Sequence, residues 1–167
     1  NDYLGNLLSG SWEDGDIIKS QSATSTYNNS SWSVETGINT IEINKMYKIY
    51  VQNDVTVRFT GRELYREEAT QELTGGGVWN WVSYPLLQNK SLNSIFQSFS
   101  DNDYLKNQSE FAVTYESDDS PPSWYSFGGL NTLESNTGYI LYMNGGNVTL
   151  EFFDLEEEKI KGKVLGS

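Results

Sequence analysis

The aromatic residues have the clearest capacity in this sequence to bind a ligand. Trp32 and Trp124, the second followed by Tyr125, lie in segments rich in Ser and Asn. Their rings could stack on the apolar faces of sugars or fill the core, and we favour core packing for the two tryptophans. Trp12 is the better candidate for an exposed contact, because it has no aromatic counterpart in the internal repeat described below. These four residues are the candidate ligand-binding set.

Clustered carboxylates are the second feature that could do chemistry. Asp101 and Asp103 flank an asparagine, and Asp14 and Asp16 flank a glycine. Carboxylate oxygens bind Ca²⁺, but neither run continues into the spacing of an EF-hand loop. We therefore favour turns in which Asp and Asn make local hydrogen bonds, and Asp101 and Asp103 stay weak calcium candidates.

The composition gives little support to catalysis. The 167 residues include no Cys and no His, which excludes thiol nucleophiles, imidazole bases and the usual zinc ligands. Among the 23 acidic residues, no pair is singled out for glycoside hydrolysis. We expect no enzymatic activity, no catalytic residue and no cofactor.

The net charge narrows the choice of partners. The chain has 11 Lys and Arg residues against 23 Asp and Glu residues, which gives −12 at pH 7. Nucleic acids and anionic membrane surfaces attract basic proteins, so we expect neither as a partner. No apolar run approaches the roughly 18 residues of a transmembrane helix, so we expect no membrane insertion.

The remaining composition predicts a mainly β fold. Aromatic residues make up 14% of the chain, and it contains 15 glycines. Aromatic and β-branched side chains fit a pleated, half-buried surface, whereas Gly, Asn and Ser form turns. The pair Gly145–Gly146 predicts a hairpin turn between two strands.

An internal repeat organises the chain. Several residues recur 92 positions later: Asn39, Thr40, Glu42, Tyr47 and Tyr50 correspond to Asn131, Thr132, Glu134, Tyr139 and Tyr142. Trp32 and Trp124 share this offset, and D-I-I-K-S-Q-S, from Asp16, corresponds to D-Y-L-K-N-Q-S, from Asp103. We predict two tandem, pseudo-equivalent β modules that are sandwich- or barrel-like. Residues 1–77 hold the first copy and a linker, residues 78–155 hold the second, and residues 156–167 form a charged tail.

Each copy is expected to contain one short helix. In the second copy an apolar face with helical spacing consists of Leu92, Ile95, Phe96 and Phe99. The corresponding residues of the first copy are Leu4, Leu7 and Leu8.

Only the second copy has a leading strand, which begins at Val78 with the sequence V-W-N-W-V-S. Trp79 and Trp81 share one face of that strand, and we expect them in the core. Without such a strand the first copy would have an open sheet edge, which invites strand addition. We expect the tail after Lys159 or a neighbouring chain to fill it, by strand exchange or homo-oligomerisation.

Three segments in order carry a family resemblance: W-N-W-V-S-Y-P-L, then D-I-I-K-S-Q-S or its second copy, then N-T-L-E-S-N-T-G-Y-I-L-Y-M. They resemble the motifs GWNWIGYPL, GDxIKSQ and LxxLxPGxGYxLK of a β-rich repeat. That repeat occurs in large secreted and surface proteins of bacteria, especially Bacteroidetes, and in some phage virion proteins. The chain departs from it at residues 135–138, where S-N-T-G replaces the Pro-Gly-x-Gly turn. The resemblance implies an extracellular or virion-surface module and no reaction.

Two functions remain open on these grounds. The first is a non-catalytic structural or adhesive module of a larger extracellular, cell-surface or virion protein, with a glycan or a protein as its partner. The alternative is a dedicated carbohydrate-binding domain that uses loop Trp and Tyr residues.

Overall fold

The structure is a computed structural model, and it describes residues 11–33, 37–42, 44–57, 68–96, 99–117, 120–135 and 137–152. Within these ranges the fold is mainly β, as predicted, with several antiparallel sheets, no closed barrel and one short helix. The counterpart helix expected around Leu4, Leu7 and Leu8 lies outside the described residues, as does the charged tail. No helix among the described residues has the length and apolarity needed to cross a membrane.

The first sheet has four antiparallel strands. They are β1 (Ile17–Lys19), β2 (Thr24–Asn28), β3 (Ser31–Trp32) and β4 (Lys48–Tyr50), in the spatial order β3-β2-β1-β4. Ile18 of β1 is fully buried and packs with Trp32 and Ile38. This small cluster is the core of the first copy among the described residues.

The second sheet has five antiparallel strands. They are β6 (Val78–Ser83), β8 (Tyr104–Lys106), β9 (Phe111–Ser117), β10 (Ser120–Tyr125) and β12 (Gly138–Met143), in the order β10-β9-β8-β12-β6. Two smaller sheets pair β5 (Thr70–Leu73) with β13 (Val148–Glu151), and β7 (Lys90–Ser91) with β11 (Thr132–Leu133). The predicted hairpin at Gly145–Gly146 is wrong, because β12 and β13 on either side of it belong to different sheets.

Strand β12 shows how the second sheet separates core from surface. Tyr139, Leu141 and Met143 are buried, whereas Ile140 and Tyr142 between them are half-buried. Successive side chains of a strand point to opposite faces, so one face of the sheet is turned into the core and the other away from it. The short helix α1 (Leu92–Ile95) adds its two apolar ends to the core side.

The two sheets have the same strand order over four strands. The order β3-β2-β1-β4 corresponds to β10-β9-β8-β12, and β6 is the additional strand of the second copy. Equivalent contacts recur as well: the Glu42 N–H donates to the Tyr47 hydroxyl at 3.0 Å, and the Glu134 N–H donates to the Tyr139 hydroxyl at 2.7 Å. These correspondences support a duplication, while the proposed division of the chain at residue 77 stays a prediction.

The open edge of β6 is covered by two glutamine side chains. The Gln21 amide donates to the Trp79 carbonyl at 3.0 Å and accepts from the Trp81 N–H at 2.8 Å. The Gln71 amide donates to the Trp81 carbonyl at 2.6 Å and accepts from the Ser83 N–H at 3.2 Å. Each amide thus replaces one residue of a neighbouring strand, and Gln21 joins the first copy to the second.

The edge of β4 that corresponds to the β6 position pairs with no strand among the described residues. The tail after Lys159, which we expect there, lies outside the described residues. Strand exchange at this edge therefore stays a prediction.

Replacing both glutamines, with Gln21→Ala and Gln71→Ala, should lower the free energy of unfolding by about 1–3 kcal/mol. Each lost hydrogen bond contributes on the order of 0.5–1.5 kcal/mol, and water compensates in part at an exposed edge. The uncovered edge of β6 should also promote self-association. Urea denaturation and analytical ultracentrifugation measure the two effects.

Gln108→Ala is the matched control, because Gln108 is the counterpart of Gln21 in the second copy and is exposed. It should leave both measurements unchanged. A monomeric double variant with the stability of the parent would show that the two amides do not protect the edge.

Tyr139→Phe should destabilise the fold by about 1–3 kcal/mol, because it leaves the Glu134 N–H without its partner beside a fully buried ring. Tyr47→Phe removes the equivalent bond at a half-buried position and should have a smaller effect. Equal midpoints of chemical denaturation for both variants would contradict this difference.

Candidate functional site

We call the face of the second sheet that is turned away from its core the outer face. It carries aromatic side chains on all five strands. One row crosses all five strands in register: Trp79, Tyr142, Tyr104, Val113 and Tyr125. Trp79 is 43% exposed and Tyr125 is 46% exposed. Aromatic side chains of this size are rarely left on a surface in such a number without an interaction partner.

The rings of the outer face contact one another across the strands. Trp79 lies 5.1 Å from Tyr142 and 6.0 Å from Tyr104, measured between ring centroids. Tyr104 stacks on Phe111 at 5.4 Å. At the other end, Tyr125 lies 6.1 Å from Tyr115. Rings that support each other in this way keep their positions on a surface better than isolated ones.

Two lysines lie over the tryptophans of β6. The Nζ atom of Lys106 is 4.9 Å from the centre of the Trp79 ring, and that of Lys48 is 4.7 Å from the centre of the Trp81 ring. Cation–π contacts of this length contribute about 0.5–1 kcal/mol at exposed sites. The outer face therefore combines apolar rings with fixed positive charges, and Lys48 adds a contribution from the first copy.

The expectation that Trp79 and Trp81 belong to the core is wrong. Their neighbour Asn80 is the buried residue, because its side-chain amide accepts from the Thr74 N–H and donates to the Thr74 carbonyl, both at 2.8 Å. Val82 is fully buried on the same side of β6. The alternation of the strand then turns both tryptophans to the outer face.

Trp32 and Trp124, which the sequence offered as ligand-binding candidates, are buried at 7% and 6% exposure. Trp124 packs against Phe96 and Phe99, with ring centres 5.6 and 5.7 Å away. This burial agrees with the core-packing interpretation and leaves little of either ring exposed to a ligand.

Trp12 and Tyr125, the other two candidates, lie in different surroundings. Trp12 is half-buried and meets Trp32 edge-on at 5.1 Å, and its role in an exposed contact stays a prediction. Tyr125 lies on the outer face and is the one member of the predicted set that joins this surface.

Sequence reasoning missed Trp79, Trp81, Tyr104 and Tyr142 as surface residues. The alternation in β12 was a usable signal, because Tyr139 and Tyr142 differ in parity and cannot share a face. The register that aligns Trp79, Tyr142 and Tyr104 across three strands depends on tertiary pairing, which the sequence did not supply.

The aspartates considered for calcium form a hydrogen-bonded turn. The Asp103 carboxylate accepts from the backbone N–H groups of Ser100 and Asn144, at 2.9 and 2.6 Å. Asp101 accepts from the Glu116 N–H at 3.0 Å. Among the described residues no group of three or more potential metal ligands comes together. Asp16 of the first copy makes the equivalent pair of bonds, to Glu13 and Gln52.

Burial raises the pKa of the Asp103 carboxyl above its ordinary value of 3.8, although the N–H groups of Asn144 and Ser100 oppose the shift. The folded state therefore holds this proton more tightly than the unfolded chain does. The stabilisation is present below the unfolded pKa and is lost as pH rises through the folded pKa.

Asp103→Asn should remove the contribution of the Asp103 carboxyl to the pH dependence of the free energy of unfolding. We expect the difference in free energy of unfolding, parent minus variant, to fall as pH rises from about 3 to about 6. Urea denaturation of both proteins at a series of pH values gives that difference. A difference that increases with pH would contradict the raised pKa.

No protein-family model, curated protein or solved structure matches the chain. The resemblance to a bacterial and phage repeat therefore stays a prediction based on its motifs. The function proposed below rests on the geometry of the outer face.

Proposed function

We propose that this chain is a non-catalytic adhesive module of a larger extracellular or virion-surface protein, and that it binds glycan on its outer face. The observation that carries the proposal is the row that crosses the five strands in register, with aromatic side chains on four strands and Val113 on the fifth. A rigid sheet holds the row, so binding requires little ordering of the protein.

The chemistry of the outer face suits a sugar. Pyranose rings offer an apolar C–H face and a rim of hydroxyl groups, and Trp and Tyr combine an apolar ring with a polar atom. The rings of Tyr104 and Tyr142, which carry phenolic hydroxyl groups, pack against the Trp79 ring, and Lys106 adds a hydrogen-bond donor. Binding sites of this kind pair a mostly apolar lining with a few directed polar groups.

The absence of an enzymatic role is part of the proposal. The outer-face residues named above include neither a carboxylate nor a nucleophile paired with a base, which acid–base and covalent catalysis need. Asp16, Asp101 and Asp103 accept backbone hydrogen bonds in turns.

A purely structural role is the second candidate, and the Gln21 contact favours it. The Gln21 side chain of the first copy pairs with the leading strand of the second, which is a way to link successive copies of one unit. Under this alternative the outer face would pack against another protein rather than a glycan.

A glycan array probed with the whole chain separates the two candidates. We expect saturable binding to at least one glycan, and Trp79→Ala should weaken it tenfold or more, equivalent to about 1.4 kcal/mol. Trp79 is already partly exposed, so its truncation should leave the fold intact, which circular dichroism and the unfolding midpoint verify.

Leu87→Ala is the matched control, because Leu87 is 75% exposed and lies in the loop after β6. It should bind as the parent does. If the parent binds a glycan saturably and Trp79→Ala binds it equally well, the outer face is not the glycan-binding surface. No binding to any glycan, together with defined oligomers in solution, would replace the adhesive role by the structural one.

A further inference from the structure

A groove of about 1110 Å³ lies between the two sheets. The first copy contributes residues of β1 and β4, and the second contributes residues of β8, β12 and the turn after β8. Its apolar lining includes Ile17, Ile49 and Ile140, and Ile140 stands beside Trp81 in the register of the second sheet. The groove is therefore continuous with the outer face.

Three lysines line this groove, and we call it the lysine groove after Lys19, Lys48 and Lys106. Among the residues that the structure describes, its lining contains no Asp and no Glu, in a chain whose net charge is −12. None of the three lysines forms an ion pair with a residue that the structure describes, whereas Lys45 outside the groove is paired with Glu42 at 2.8 Å. The described lining of the groove is therefore positively charged, although the molecule as a whole is negatively charged.

Two of the three lysines are held in place. Lys48 and Lys106 lie over Trp81 and Trp79, with their Nζ atoms 4.7 and 4.9 Å from the ring centres. Each ammonium group has three N–H donors, and a contact with a ring face does not occupy all of them. N–H donors therefore stay available for a ligand. Tyr50, which is 66% exposed, adds an aromatic surface to the same groove.

We propose that the lysine groove binds an acidic glycan, in which carboxylate or sulfate groups meet Lys19, Lys48 and Lys106 while a sugar ring packs on Tyr50 and the adjoining tryptophans. This inference deepens the proposed function and rests on it, since it names the class of glycan. Charge complementarity selects the ligand, because a neutral glycan would offer no anionic group to the three ammonium groups.

A single-stranded nucleic acid is the other anionic polymer with rings to stack, and the charge of the whole chain argues against it. Binding to phosphate backbones depends on an extended basic surface. Here three lysines lie in one groove of a protein with 23 acidic residues, which would repel a long polyanion outside the groove.

Matched pairs of ligands test the charge requirement. We would measure binding of an oligogalacturonate against its methyl ester, and of a sulfated galactan against the desulfated form, by isothermal titration calorimetry. We expect at least one acidic member to bind tenfold or more tightly than its neutral partner at low salt. The advantage should shrink as the salt concentration rises, because screening weakens exposed charge pairs.

Two triple variants test whether the three lysines cause the preference for acidic glycans. Lys19→Met, Lys48→Met and Lys106→Met together keep unbranched apolar side chains at the three positions and remove the charges, so the preference should disappear. The triple arginine variant keeps the charges and should retain it. Lys45→Met, outside the groove, should bind as the parent does.

Equal binding of acidic and neutral glycans by the parent and by the triple Met variant would overturn the proposed role of the lysine groove. Loss of glycan binding in Trp79→Ala would still support the outer face as a glycan-binding surface. Equal affinity for a single-stranded DNA oligomer would overturn the assignment to a glycan. Failure of every glycan to bind would reject the proposed function itself.

Discussion

The alternation of side chains across the five-stranded sheet is the constraint on which the rest of the molecule depends. Along β12, Tyr139, Leu141 and Met143 are buried, and the residues between them are turned outward. Because a strand has a period of two, a shift of register by one residue would exchange the two sets. The core and the outer face are therefore fixed by the same hydrogen bonds, and neither can change without the other.

Polar side chains hold this register at the places where backbone pairing ends. Asn80 is buried and bonded to Thr74, which fixes the side of β6 that is turned inward. Gln21 and Gln71 complete the edge of β6. The Tyr139 hydroxyl accepts a backbone bond from inside the core, and burial raises the pKa of its phenol, so the group stays neutral and bonded. Buried polar groups that are satisfied in this way specify one arrangement of the core.

The β character could be predicted from the sequence, because turn residues and aromatic content are local signals, and the matched positions favoured a duplication. The helix at Leu92–Ile95 agreed with its apolar spacing. The burial of Trp32 and Trp124 was open to two interpretations. The exposure of Trp79 was predicted wrongly, since hydrophobicity alone places an indole inside and a neighbouring asparagine outside. The hydrogen bonds between the Asn80 side chain and the backbone of Thr74, six residues earlier, reverse that order. The lysine groove could not be predicted, because it is formed by residues of both copies.

The exposure of the tryptophans can be measured directly in the intact chain. The five indole N–H groups give five signals in a ¹⁵N–¹H spectrum, and a soluble paramagnetic chelate attenuates those nearest to solvent. The structure predicts strong attenuation for Trp79 and the least for Trp32 and Trp124. If Trp79 were protected, or if Trp124 lost as much intensity as Trp79, the assignment of the two faces of the sheet would be contradicted.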